Sequence, residues 1–205
     1  MHADYSVELG AEDPVLEIPW HSDDATVRYY DLKGRPDLVH SLPEARDNPE
    51  LAAFLSRINA AGFSLQTAKC DAWCSHEMSA EEEIFGATCK FTSYIDLLFA
   101  GEVPRSSFAQ HEALAKNLCD LLHHVPEMAA TVELIIRRCL YHQAGASDLR
   151  IDARKTSTDF PEATTSGFYI TAYVSGFGDD EKNARKQWSI ALKLLQHALV
   201  QVANG

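Results

Sequence analysis

The chain has 205 residues, 46% hydrophobic and 23% charged, enough for a full apolar core in one domain or one domain with an extension. Eighteen Lys and Arg against thirty Asp and Glu leave a net charge of −12, which opposes phosphate backbones and argues against nucleic-acid binding as the main role. No apolar run approaches the ~20 residues that span a bilayer, and Met1-His2-Ala3-Asp4-Tyr5 lacks a basic region followed by an apolar stretch, so a soluble cytoplasmic protein without membrane contact is expected.

The charge is uneven. The first fifty residues hold twelve acids and four bases, a net of −8, which suits either a basic protein partner or a well-solvated surface. Val15 to Trp20 and Thr26 to Leu32 read as two short strands, joined by a turn at His21-Ser22-Asp23-Asp24-Ala25. After the break at Lys33-Gly34-Arg35-Pro36, a helix is predicted with Asn48 as N-cap and Pro49 at its first position. Leu51, Phe54, Leu55 and Ile58 form its apolar stripe, and Gly62 stops it.

From Phe63 to Ser75 the residues alternate. Ala68, Cys70, Ala72 and Cys74 take one face; Leu65, Thr67, Lys69, Asp71 and Trp73 take the other. Beyond an acidic loop, Ile84 to Phe99 places Phe85, Ala87, Cys89, Phe91, Ile95, Leu97 and Phe99 inward. Thr88, Lys90, Thr92, Tyr94 and Asp96 face outward, the pattern of a half-buried antiparallel strand. A helix from Ser107 to Val125 follows, with a capping box at Ser107 and Gln110. Thr131 to Gln143 satisfies both strand and helix spacing; its β-branched content favours strand. Gly167 to Gly178 is a strand, and Asp180 to Val202 a helix that buries Trp188. Between the two strands, Ala144 to Thr165 is a long polar connection, of a length that marks a mobile or functional segment.

The order strand, strand, helix thus runs twice after Gly62. The expected fold is α+β: an antiparallel sheet built from repeated ββα units, with long helices packed on one face. Residues 1–62 form an acidic ββα segment and residues 63–205 a duplicated core, within one continuous globular domain.

Motifs for chemistry are sparse. Cys70, Cys74, His76 and Glu77 form the densest set of metal-ligating residue types, but a second ligand pair at zinc spacing is missing. Four residues of strand also hold Cys70 and Cys74 about 13 Å apart. All five thiols are therefore expected reduced and metal-free, and no cofactor is expected. Gly176-Phe177-Gly178 is a poor phosphate loop, since Asp179, Asp180 and Glu181 occupy the place of the anion. Ser175 lacks the glycine two positions before it that a nucleophile elbow needs.

The sheet face turned away from the helices is the surface that parity singles out. Lys90, Tyr94, Arg137, Tyr141, Tyr169 and Tyr173 are the ligand or interface candidates on it, with Lys69, Asp71, Trp73, Thr92, Asp96 and Thr171 around them. Aromatic and cationic residues on one face suit an interface or a ligand. The leading expectation is a non-catalytic interaction protein, either a homodimer pairing through this face or a protein docking on a basic partner. The alternative is a small polar-ligand-binding protein or enzyme using the same face and the 144–165 segment.

Overall fold

In the computed structural model the described residues are 1–22, 28–142 and 164–204. Four strands form the body of one sheet. β3 (Leu65–Ser75) and β4 (Cys89–Phe99) pair antiparallel, as do β5 (Ala130–His142) and β6 (Thr164–Gly178). β4 and β6 then join the two hairpins, antiparallel, at the centre. Thr131 to His142 is strand, in keeping with its Thr, Val and Ile content.

The expected architecture is corrected on several counts. The sheet is mixed: β1 (His2–Glu8) and β2 (Val15–Ile18) both run parallel to β5, one after the other along its edge, giving the order β1-β5-β6-β4-β3 with β2 also on β5. The N-terminal third is not a ββα unit. Its strands pair with β5 rather than with each other. Residues 23–27, which hold most of the expected turn and the start of the expected strand from Thr26 to Leu32, lie outside the described residues, and the described remainder of that strand makes one bridge, Arg28 to His21. Nor is the helical layer made of long helices repeated unit by unit. Three of the helices, α1 (Pro43–Asp47), α2 (Pro49–Ile58) and α3 (Glu102–Arg105), have ten residues or fewer. α4 (Phe108–His123) and α5 (Glu181–Asn204) complete the layer. Finally, β4 begins at Cys89, not at Ile84. Glu82–Phe85 is a 3-10 turn, ended by Gly86 with φ 60° in the left-handed region that favours glycine.

The main core lies between this sheet and the helices. Leu51, Phe54, Leu55 and Ile58 of α2 are fully buried in it, as their spacing dictates. Trp188 of α5 meets Phe91 edge-on at 4.8 Å and donates its indole N–H to Ser93 Oγ at 2.8 Å. A Cβ on Gly176 would collide with the backbone of Ala184 and Trp188, so this glycine lets α5 lie directly on β6. Ser107 Oγ accepts from the Gln110 N–H, the N-cap half of the expected capping box; the reciprocal half is not made, since the Ser107 N–H donates to Pro104 O. Asn48 does not cap; its amide donates back to the Glu44 carbonyl and its oxygen accepts from Arg185.

One irregularity sets the side-chain parity of β3. The register against β4 shifts between Thr67 and Cys70. A bulge adds a residue to one strand and reverses which face later residues occupy. Leu65 therefore belongs to the helix-side core, contrary to its expected outward position, while Ala68 turns to the opposite face. Asn59 holds this site: its amide donates to Leu55 O and Thr67 Oγ1, each at 2.8 Å, and its oxygen accepts from the Thr67 N–H at 3.0 Å.

Candidate functional site

Strand pairing sorts the face away from the helices into rows that cross the sheet. One row is Asp4, Glu133, Tyr173, Tyr94, Asp71, each residue the direct partner of the next across β1, β5, β6, β4 and β3. On one side of it runs the row His2, Thr131, Ser175, Thr92, Trp73. On the other runs Ser6, Ile135, Thr171, Asp96.

The face is not uniformly open, which corrects the expectation of a simple exposed sheet. At one end Leu16, Ile18, Trp20 and Tyr29 from the N-terminal segment cover Ala68, Leu98, Cys139, Tyr141 and Tyr169 in a second small core. Trp20 is pinned there by its indole N–H, which donates to Ala68 O at 3.0 Å, and Lys69 Nζ lies 4.6 Å from its ring centre. At the other end the segment after β3 folds back. Phe85 stacks on Phe177 at 4.4 Å, and Glu82 takes Lys90 in an ion pair at 2.8 Å.

The six candidates therefore separate. Tyr169 and Tyr141 are 4% and 7% exposed and belong to the second core. Tyr141 also lines a different cleft, with Glu102, Arg105, His142 and Thr165. Lys90 is engaged by Glu82. Tyr94 and Tyr173 are half-buried and meet at 6.0 Å between ring centres, with Trp73 a further 6.3 Å from Tyr94. Arg137 lies four residues along β5 from Glu133, on the same face of the sheet and directly opposite Tyr169. Of the 144–165 segment, residues 144–163 lie outside the described residues.

Beside the aromatic pair, on the same face, lies a polar network. Arg137 Nε donates to Glu8 at 2.7 Å and its Nη1 to Thr171 Oγ1 at 3.1 Å; Thr171 in turn donates to Asp96 Oδ1 at 2.7 Å. Burial works against the charge of Arg137, but hydrogen bonds to Glu8 and Tyr173 outweigh it and push its pKa up. Asp96 is 5% exposed, and burial raises its pKa to about 6 against the opposing hydrogen bond from Thr171 and the charges of Lys69 and Arg137. Asp96 is thus a buried carboxyl whose charged form is disfavoured, held as the acceptor of the Thr171 hydroxyl.

The carboxylates of the Asp4–Asp71 row stand differently. Glu133 forms no ion pair among the described residues. Loss of surrounding water, followed by the charges of Asp4 and Glu8, raises its pKa, which Arg137 only partly offsets. Asp4 and Glu133 also line a cleft of about 390 Å³ with His2, Thr131, Ser79, Glu81, Glu82, Ile84 and Phe85. The face thus carries an aromatic centre and an anionic end, while its own cations are already taken by Glu8, Glu82 and the Trp20 ring.

Three metal-ligating side chains converge at the edge of the helix-side layer, away from this row. Cys74, His76 and Cys89 offer ligand atoms within 4.8 Å of one another. Sequence spacing drew attention to Cys70 and Cys74; Cys89 is brought in by the neighbouring strand.

No protein-family model, curated protein or solved structure matches this chain. Among the described residues no helix is long and apolar enough to cross a membrane. The functional reading therefore rests on the geometry of the face.

Proposed function

We propose that this protein is a non-catalytic binding module that takes a basic, Lys- or Arg-bearing segment of a partner protein on its open sheet face. The observation that carries this reading is the row Asp4–Glu133–Tyr173–Tyr94–Asp71, in which two half-buried tyrosines lie between acids. A guanidinium or ammonium laid over Tyr94, Tyr173 or Trp73 is attracted by the ring faces, and carboxylates on either side hold its neighbours. Glu133 supports the choice of partner charge. Its raised pKa reflects lost hydration first and then like-charged company, and a cation would relieve the latter. The net charge of −12 adds long-range attraction for the same class of partner.

The covered ends of the face favour a ligand that lies across the strands. Five strands at about 4.8 Å spacing give a row of roughly 19 Å, the reach of about six extended residues. Self-association uses the same aromatic centre but brings the unpaired acids of two copies together, which the charge pattern opposes.

The test is the change in tryptophan fluorescence, assigned to Trp73 by its loss in Trp73→Phe, during titration with a glycine-flanked hexa-arginine peptide at low and physiological salt. Saturable binding is expected, weakened at least fivefold in Glu133→Gln and in Tyr173→Ala but unchanged in Glu112→Gln on α4. Equal affinity in all four proteins overturns the assignment to this face. A concentration-dependent dimer that buries Trp73 without peptide favours self-association instead.

A further inference from the structure

Cys74 lies near the end of β3 and Cys89 opens β4, and their sulfurs approach to 3.2 Å. Two residues past Cys74 the chain leaves the strand and His76 turns back, so that its ring and the two sulfurs form one compact set within 4.8 Å. Cys89 is buried, Cys74 half-buried and His76 exposed. The set is therefore anchored in the protein on one side and open to water on the other.

We propose that Cys74, His76 and Cys89 bind a thiophilic divalent cation of the zinc class, with water completing the coordination. Two thiolates and an imidazole are the donor types such ions select, and three protein ligands with one open position are a known tetrahedral arrangement. With metal–sulfur bonds of about 2.3 Å, tetrahedral geometry places two sulfurs about 3.8 Å apart, so binding parts the present pair by roughly half an ångström. As the two S–metal bonds form, the two thiol protons pass to solvent.

The surroundings suit a ligating histidine. His76 Nδ1 is 3.1 Å from the Thr88 carbonyl, which can only accept, so Nδ1 carries the proton and the ring lone pair is on Nε2. An outer hydrogen bond of this kind fixes the orientation of a metal-bound imidazole. Thr88 is itself fixed: its N–H donates to Gly178 O and its hydroxyl to Asp179 O. This reverses the expectation that all five thiols stay metal-free, for Cys74 and Cys89 alone. Cys70 is not part of the set.

The site also has a structural consequence. Residues 76–88 carry Glu81, Glu82 and Phe85, which wall the acidic cleft. A metal at Cys74, His76 and Cys89 would close both ends of that segment on one ion.

The experiment is a titration of the full-length, reduced, chelator-stripped protein with Co²⁺, followed by displacement with Zn²⁺ against a chromophoric chelator. One Co²⁺ per chain is expected, with a thiolate-to-cobalt charge-transfer band and visible bands of tetrahedral intensity. Cys74→Ser and Cys89→Ser should abolish the charge-transfer band. His76→Gln, at an exposed position that cannot threaten the fold, should weaken binding about tenfold or more. Cys139→Ser, in the second core, should change neither. Absence of the band in the wild type overturns the proposal, as does its survival in Cys89→Ser. A Cys74–Cys89 disulfide without metal in protein isolated under air, shown by the loss of two hydrogens in the intact mass, also overturns it.

Discussion

Glu133 on β5 stands directly opposite Tyr173 on β6, and Tyr173 stands opposite Tyr94 on β4. A carboxylate without a counter-ion among the described residues is thereby held at the end of an aromatic pair. Cross-strand neighbours of this kind are the unit from which a sheet face takes its chemistry. Alongside the tyrosines on the same face, Arg137, Thr171 and Asp96 are linked by hydrogen bonds, and Glu8 satisfies Arg137 from the edge strand.

Asp96 should make the protein less stable as pH rises. Its folded pKa of about 6 lies above the ordinary 3.8, so its contribution is fully present below 3.8 and is lost as pH rises through 6. At about 1.4 kcal/mol per pKa unit the loss is on the order of 3 kcal/mol. Asp96→Asn keeps an acceptor for Thr171 and cannot ionise. In urea unfolding, the stability of the variant relative to wild type should grow by about 2–3 kcal/mol between pH 4 and pH 7. A difference that stays constant with pH would mean that Asp96 ionises freely in the folded protein.

His111 should act in the opposite direction. Its ring is buried between Phe99 and Phe168, with Nδ1 bonded to Ser107 O and Nε2 without a hydrogen-bond partner among the described residues. Burial lowers its pKa from 6.5, despite favourable backbone contacts. Stability is therefore full above 6.5 and falls as pH drops from there toward the lower folded value, because the unfolded chain takes up the proton first. His111→Phe removes the titration, and its advantage over wild type should widen between pH 7.5 and pH 5 in thermal melts. A gap that narrows on acidification contradicts this.

Much of the sheet was legible because alternation is a direct record of burial. Phe91, Ile95 and Leu97 point inward, and Tyr94 and Asp96 outward, as their parity dictates. The inward position of Leu65 was not legible. It depends on the bulge near Ala68, which Asn59 supports from another element, and no local pattern records that. β1 was missed although His2 to Glu8 alternates, because it pairs with β5 more than 120 residues away and its apolar face is sparse. The small core of Trp20, Tyr141 and Tyr169 was hidden for a related reason. An aromatic residue on a polar-looking face reads as a site until the segment that covers it is known. Tyr94 and Tyr173 kept that position; Tyr141 and Tyr169 did not. The Cys74–Cys89 contact joins two strands, which spacing within one strand cannot reveal.

Asn59→Ala tests the bulge. The substitution leaves the Thr67 N–H and hydroxyl buried without their present partners, at a cost of about 2–4 kcal/mol. Unfolding should show that loss with an unchanged denaturant slope. The amides of β3 from Leu65 to Lys69 should also lose hydrogen-exchange protection before those of β4. A loss under about 0.5 kcal/mol would mean that the bulge holds without Asn59.

The binding role of the open face is tested most directly by amide chemical-shift mapping of the labelled protein during titration with the hexa-arginine peptide. The account predicts saturable shifts concentrated at Asp4, Asp71, Trp73, Tyr94, Glu133 and Tyr173, collapsing in Glu133→Gln. Shifts spread over the exposed acids of α4, such as Glu112 and Asp120, with the tyrosine row unmoved, would contradict it.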